Sequence, residues 1–135
     1  MKRLSLVAIA TLLVVIALIS FISCAKIPNN ADDAAAVFKD NECEVTVLNA
    51  QERKEFADRL FDEQSILIVG DFNGYVVATK GELKAEIFYL QLESDMQSIE
   101  NFYNCDIKDK VTYTSNTIDS CMIFIGSKEL YNLFK

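Results

Sequence analysis

Residues Leu4 to Ser23 carry no charge, and this twenty-residue run governs how the rest of the chain is read. At 1.5 Å per residue, a helix of that length reaches across a hydrocarbon core of about 30 Å. The run stands apart from whatever folds behind it. Setting residues 1–23 aside leaves 112 of the 135 residues, enough for one compact domain and too few for two.

The flanks of the run say how it is used. Lys2 and Arg3 form a short basic segment ahead of it, and Phe21-Ile22-Ser23-Cys24 closes it with a small residue before a cysteine. Polar, proline-containing Ala25-Lys26-Ile27-Pro28-Asn29-Asn30 follows. This ending resembles the lipobox of bacterial lipoprotein signals, with Phe21 standing where leucine is the usual residue. The resemblance implies removal of residues 1–23, diacylglyceryl attachment to Cys24, and a short tether over 24–30. Two acyl chains, at about 0.8 kcal/mol per buried methylene, hold a protein at a membrane almost permanently. Two alternatives stay open. The run is long enough for an uncleaved transmembrane helix, and Ser23-Cys24-Ala25 also suits an ordinary signal cleavage that would release an unlipidated protein.

Without residues 1–23 the chain has eleven basic residues against twenty acidic ones, a net charge of −9. No basic footprint remains for nucleic acid, and none for docking on anionic lipid heads, so membrane attachment has to come from the N-terminus. There is no histidine. That removes the commonest general base, the Ser-His-Asp and Cys-His nucleophile arrangements, and histidine-containing zinc sites. No cofactor or metal is expected. Beyond Cys24 the cysteines are Cys43, Cys105 and Cys121. An exported compartment permits disulfides, and Cys105–Cys121 is the candidate pair, since one closes a helix and the other opens a strand. Three buried thiols are the equal alternative.

From residue 31 onward the pattern is that of a single small domain. Asn30 or Asp32 caps a first helix that ends at Asn41. Cys43, Val45 and Val47 alternate with Glu44 and Thr46 as a half-buried strand. Asn49-Ala50-Gln51-Glu52 is a capping box, opening a helix with Phe56, Ala57, Leu60 and Phe61 along one stripe. Ile66 to Val69 is a short apolar run. Asn73-Gly74 reads as a hairpin turn before a strand at Tyr75 to Thr79, and Lys80-Gly81 as a second turn. Leu83 to Leu92 is apolar on both faces near its middle, which marks a central strand. Ser94-Asp95-Met96-Gln97 repeats the capping-box pattern ahead of a helix carrying Met96, Ile99, Phe102 and Tyr103. Strands at Val111 to Thr114 and Ser120 to Ile125 follow, then a last helix after Gly126-Ser127.

The order predicts an α+β fold. An antiparallel or mixed sheet with helices packed on one face fits it, with a ferredoxin-like split βαβ arrangement as the specific expectation.

Few residues offer chemistry. Asp71-Phe72-Asn73-Gly74 matches only the start of a calcium loop and lacks the closing glutamate. Glu82, Glu86 and Glu93 read as solvated strand and turn positions. The polar stretch Thr112 to Thr117 reads as a loop or edge strand able to pair with a partner. Within it Tyr113, expected to be exposed, and Thr114 are the partner-binding candidates.

The segments Gly74-Tyr75-Val76-Val77-Ala78-Thr79-Lys80-Gly81 and Cys121-Met122-Ile123-Phe124-Ile125-Gly126-Ser127-Lys128-Glu129-Leu130 add a resemblance of their own. The chain is similar to small lipoproteins of low-GC Gram-positive bacteria, in which a strand-turn-strand and a terminal strand-Gly-helix recur. That implies the extracytoplasmic face of the cell membrane and no catalytic residues. The leading expectation is a lipid-anchored interaction module for an envelope protein or peptide. A small carboxylate-based hydrolase or metal-dependent enzyme, and a passive subunit tethering a complex to the membrane, are the competing classes.

Overall fold

The computed structural model describes residues 26–117 and 120–135. The apolar run, Cys24 and the first tether residues lie outside it. The elements run α1 (Ala31–Asp40), β1 (Glu44–Val47), α2 (Ala50–Gln64), β2 (Phe72–Lys80), β3 (Leu83–Leu90), α3 (Glu93–Phe102), β4 (Lys110–Thr117), β5 (Ser120–Ser127) and α4 (Lys128–Phe134).

The strands form one open sheet in the order β1-β2-β3-β5-β4, and every neighbouring pair is antiparallel. This is the expected α+β class. β3 is central, as its apolar character on both faces implies, and each of its residues from Ala85 to Leu90 is buried. Successive strand residues alternate between the faces. Tyr75, Phe88, Leu90, Cys121, Ile123 and Ile125 meet Leu60 of α2 and Met96 and Ile99 of α3 on one side. That is the helical layer expected. The opposite face is covered as well: Val76, Ala78, Ile87, Tyr89, Met122 and Phe124 pack with Ala34, Ala35 and Phe38 of α1 and with Leu130 and Phe134 of α4. The Phe38 and Phe134 rings stack there at 5.9 Å.

The ferredoxin-like arrangement is not formed, although one split βαβ unit is present. β3 and β4 are both antiparallel to β5, which lies between them, so they are parallel to each other and α3 joins them as a split βαβ unit. No second such unit exists among the described residues, because β1 and β2, joined by α2, are adjacent and antiparallel. Adjacent antiparallel strands need a connection that returns to the end it left. The fifteen residues of α2 carry the chain about 22 Å away, and an extended stretch from Ser65 to Asp71 brings it back over a similar distance. Ser65 turns the corner in the left-handed conformation (φ 58°) as the C-cap of α2. The apolar run at Ile66 to Val69 is this return path and not a strand.

Local signals decide several boundaries. Asn30 accepts from the Asp33 amide at 2.8 Å, and Asn49 and Glu52 make a reciprocal capping box. The Arg53 guanidinium donates to the carbonyls of Leu48 and Phe72, both at 2.7 Å, and so ties α2 to the ends of two strands. The hairpin between β2 and β3 turns at Gly81, whose φ of +60° suits glycine. Asn73-Gly74 is not a turn. It lies inside β2 at a register shift, where a side chain on Gly74 would come within 2.8 Å of the Ala31 Cβ. α1 can approach the sheet there only because that side chain is missing.

Candidate functional site

β4 is an edge strand eight residues long, in line with the polar stretch read from Thr112 to Thr117. It holds no proline and no register shift against β5. Among the described residues no further backbone hydrogen bond reaches its outer side. An edge of this kind presents a row of free N–H and C=O groups, the template on which an extended segment adds as another strand. Thr112, Asn116 and Thr117 are exposed, whereas Tyr113 and Thr114 are half-buried. Tyr113 is therefore not the free aromatic expected: its ring lies 5.6 Å from that of Tyr131 on α4, and it shores up one face of the strand. Thr114 projects on the opposite face, toward the α2–α3 layer.

The segment that enters the domain sits at one end of this edge. Lys26, Ile27, Pro28 and Asn29 line a cleft of about 570 Å³ together with Ser115, Thr117, Ser120 and Met122. Pro28 is buried, and its carbonyl accepts from the Tyr89 hydroxyl at 3.1 Å. Residues 27 and 28, expected to be tether, are thus docked on the sheet.

Cys43, Cys105 and Cys121 are free thiols, so the expected Cys105–Cys121 bridge is not formed. The topology explains why. Cys121 pairs with Leu90 at one end of β3, and its thiol donates to Gln91 and Asn116. The charges that act on the Cys105 thiol are those of Glu86, Lys84, Lys110 and Asp106, and of these Glu86 and Lys84 lie further back along β3 from Leu90. Burial pushes both thiols up, with Glu86 adding to the effect at Cys105 and Glu93 and Asp95 at Cys121.

The densest chemistry is one the sequence hides. Glu86, read as solvated, is only 2% exposed and lies on the inner face of β3 beneath α3. Its Oε1 accepts from the hydroxyls of Tyr75 on β2 and of Tyr103, the C-cap of α3, the latter at 2.7 Å. Its Oε2 has no hydrogen-bond partner among the described residues, and Lys84 Nζ stands 3.5 Å away as counter-charge. Burial pushes both tyrosines well above the usual range, and the charge of Glu86 pushes them further. They stay protonated donors at any physiological pH. Oε1, held by two phenols, is a fixed acceptor, and the cluster joins β2, β3 and the end of α3. Alternation along β3 was the signal for it, since position 86 shares a face with Phe88 and Leu90.

Asp95 is likewise 2% exposed, and its two carboxylate oxygens accept from the amides of Val69 and Gly70 at 3.0 and 2.8 Å. It pins the return path to α3. The capping box expected of Ser94 and Gln97 is not formed, since the N-cap of α3 is Leu92, without a side-chain bond.

Among the described residues no group of three or more potential ligands converges on a metal position, and no helix is long and apolar enough to cross a membrane. Comparison with protein-family models, with curated proteins and with solved structures finds no match.

Proposed function

We propose that the chain is a lipid-anchored extracytoplasmic binding module that takes up an extended segment of an envelope protein or peptide along β4. The observation that carries this reading is the eight-residue open edge, with free backbone groups along its outer side. The lipobox-like Cys24 and the acidic chain behind it support the anchor and the compartment. Affinity on such an edge comes from main-chain hydrogen bonds. Alternate side chains, here Thr112 and Asn116 on one face and Tyr113 and Ser115 on the other, select the partner.

Two measurements test the proposal separately. The intact mass of the protein extracted from its own membranes should equal residues 24–135 plus a diacylglyceryl group. A mass matching the full chain, or an unmodified secreted product, removes the lipid anchor. Thr114→Lys places a cation on the half-buried face of the edge, a device that blocks strand addition. It should lower recovery of the cross-linked partner at least tenfold while leaving the denaturation midpoint nearly unchanged. Equal recovery from the variant and the parent protein would remove the edge as the interface.

A further inference from the structure

Six large apolar side chains are exposed among the described residues, and five of them, Phe61, Leu67, Val69, Leu92 and Phe102, follow one seam on the outside of the α2–α3 layer. The path of the chain makes this seam. Ser65 to Asp71 returns between the two helices: Asp95 of α3 accepts from Val69 and Gly70, while Ile68 and Gly70 line a cleft with Ala57 of α2. Ile66 and Ile68 turn inward along this extended stretch, so Leu67 and Val69 turn outward. Phe61 comes one turn after Ala57, and Phe102 two turns after Asp95. Each therefore leaves its helix on the side of the return path. Gln64 accepts from the Asn104 amide at 2.7 Å, which holds the C-terminal ends of α2 and α3 together and with them the two phenylalanines. Leu92 closes the other end of the seam over Gly70, where a Cβ would stand 2.6 Å from the Leu92 Cγ.

The five side chains are between 36% and 71% exposed, which leaves about 500 Å² of apolar surface in water. A stable interface takes about 800 Å² from each partner, and in homodimers about 65% of that area is apolar. The seam supplies about what one half of a homodimer needs. Charge favours the same occupant. The chain is net acidic at −7, so two copies can meet only where charge is sparse, and a cationic partner would be drawn to other faces. Along the seam α3 presents the uncharged Ser94 and Ser98, and beside Phe61 the Asp58 carboxylate is paired with Lys54 at 3.0 Å. A two-fold axis near Leu67 lays the aromatic end of one copy, Phe61 and Phe102, on the aliphatic end of the other, Val69 and Leu92. The same contact then recurs across the axis. We infer that this seam is the interface between two copies of the chain. Neither the membrane anchor nor the β4 edge takes part in the contact.

The test uses the full chain in its native membranes, with a photoreactive amino acid at Leu67. Glu100, exposed on the side of α3 turned away from the seam, serves as the control position. The expected product is an adduct of twice the chain's mass, at least tenfold more abundant from Leu67 than from Glu100. Mass spectrometry should find the attached residues of the second copy on the seam itself. Phe102→Asp and Val69→Asp alter side chains that stand mostly in water, and each should lower that yield at least fivefold. An adduct between Leu67 and a different protein, with no doubled mass, overturns the second copy as the occupant. A Leu67 yield no higher than that at Glu100, or one that both variants leave unchanged, overturns the seam as an interface altogether.

Discussion

Removing one phenol from the Glu86 cluster should be costly, and removing the whole cluster should not. Tyr103→Phe deletes the 2.7 Å donor to Glu86 Oε1 without changing ring packing against Phe88, whose centroid lies 5.2 Å away. A hydrogen bond to a charged group is worth about 1.5–3 kcal/mol net, and the carboxylate keeps only Tyr75 and the half-exposed Lys84. A loss of about 2 kcal/mol, with a urea slope of about 1.5 kcal/mol/M, lowers the midpoint by about 1.3 M. Tyr75→Phe should cost a similar amount. Both together should exceed the sum, because a buried carboxylate then has no donor at all beyond a lysine at 3.5 Å. Adding Glu86→Met to the double variant removes the charge itself and should restore most of the lost stability, since an apolar replacement of a buried polar group is often neutral. Urea unfolding of residues 26–135, followed by far-ultraviolet circular dichroism at pH 7, measures all four midpoints. Additive single effects below about 0.5 kcal/mol, or a triple variant less stable than the double, would refute the idea that the phenols hold a desolvated charge.

Three further outcomes follow from the structure. Tyr75 and Tyr89 are buried and held protonated by desolvation, so they titrate on unfolding but not in the fold. Their raised values, with that of Tyr103, give stability that is complete below about pH 10 and declines above it, by up to roughly 4 kcal/mol per pH unit for the three, which urea midpoints between pH 9 and 11 would report. Gly74→Ala puts a methyl 2.8 Å from the Ala31 Cβ and should cost about 1–3 kcal/mol, with Ala31→Gly recovering part of it in thermal unfolding. Asp95→Ala strips the Val69 and Gly70 amides of their acceptors, and hydrogen exchange should speed up over residues 66–71 well before it changes in β3.

The sequence disclosed the elements that local chemistry specifies and missed those that depend on where the chain returns. Capping residues Asn30 and Asn49 and the two-sided apolarity of β3 led directly to α1, α2 and the centre of the sheet. The short apolar run at Ile66 to Val69 does not by itself separate a strand from an extended return path pinned by backbone-to-carboxylate bonds. Ile66 is buried there and Val69 is 71% exposed, yet no neighbour pairs with it. Asn73-Gly74 carries the dipeptide of a hairpin, but its glycine serves the close approach of α1, a tertiary demand invisible at short range. The polar edge at Thr112 to Thr117 was legible from composition. The free state of Cys105 and Cys121 was not, since their separation depends on which strands lie between them. Glu86 was hidden because its partners stand eleven and seventeen residues away on two other elements.

The stacked rings of Phe38 and Phe134 bear on the order in which the molecule can be completed. One belongs to the first element of the described chain and the other to the last. During synthesis, α1 emerges with Phe38 uncovered and stays so until α4 has followed. β5, which separates β3 from β4, is also among the last to arrive. Until then the nascent domain carries an unfilled slot in its sheet and a bare apolar face, the state in which a holding chaperone has most to bind. A polypeptide stalled before Leu130 should be kept in that condition, and completion of the final turn of α4 is what closes the molecule.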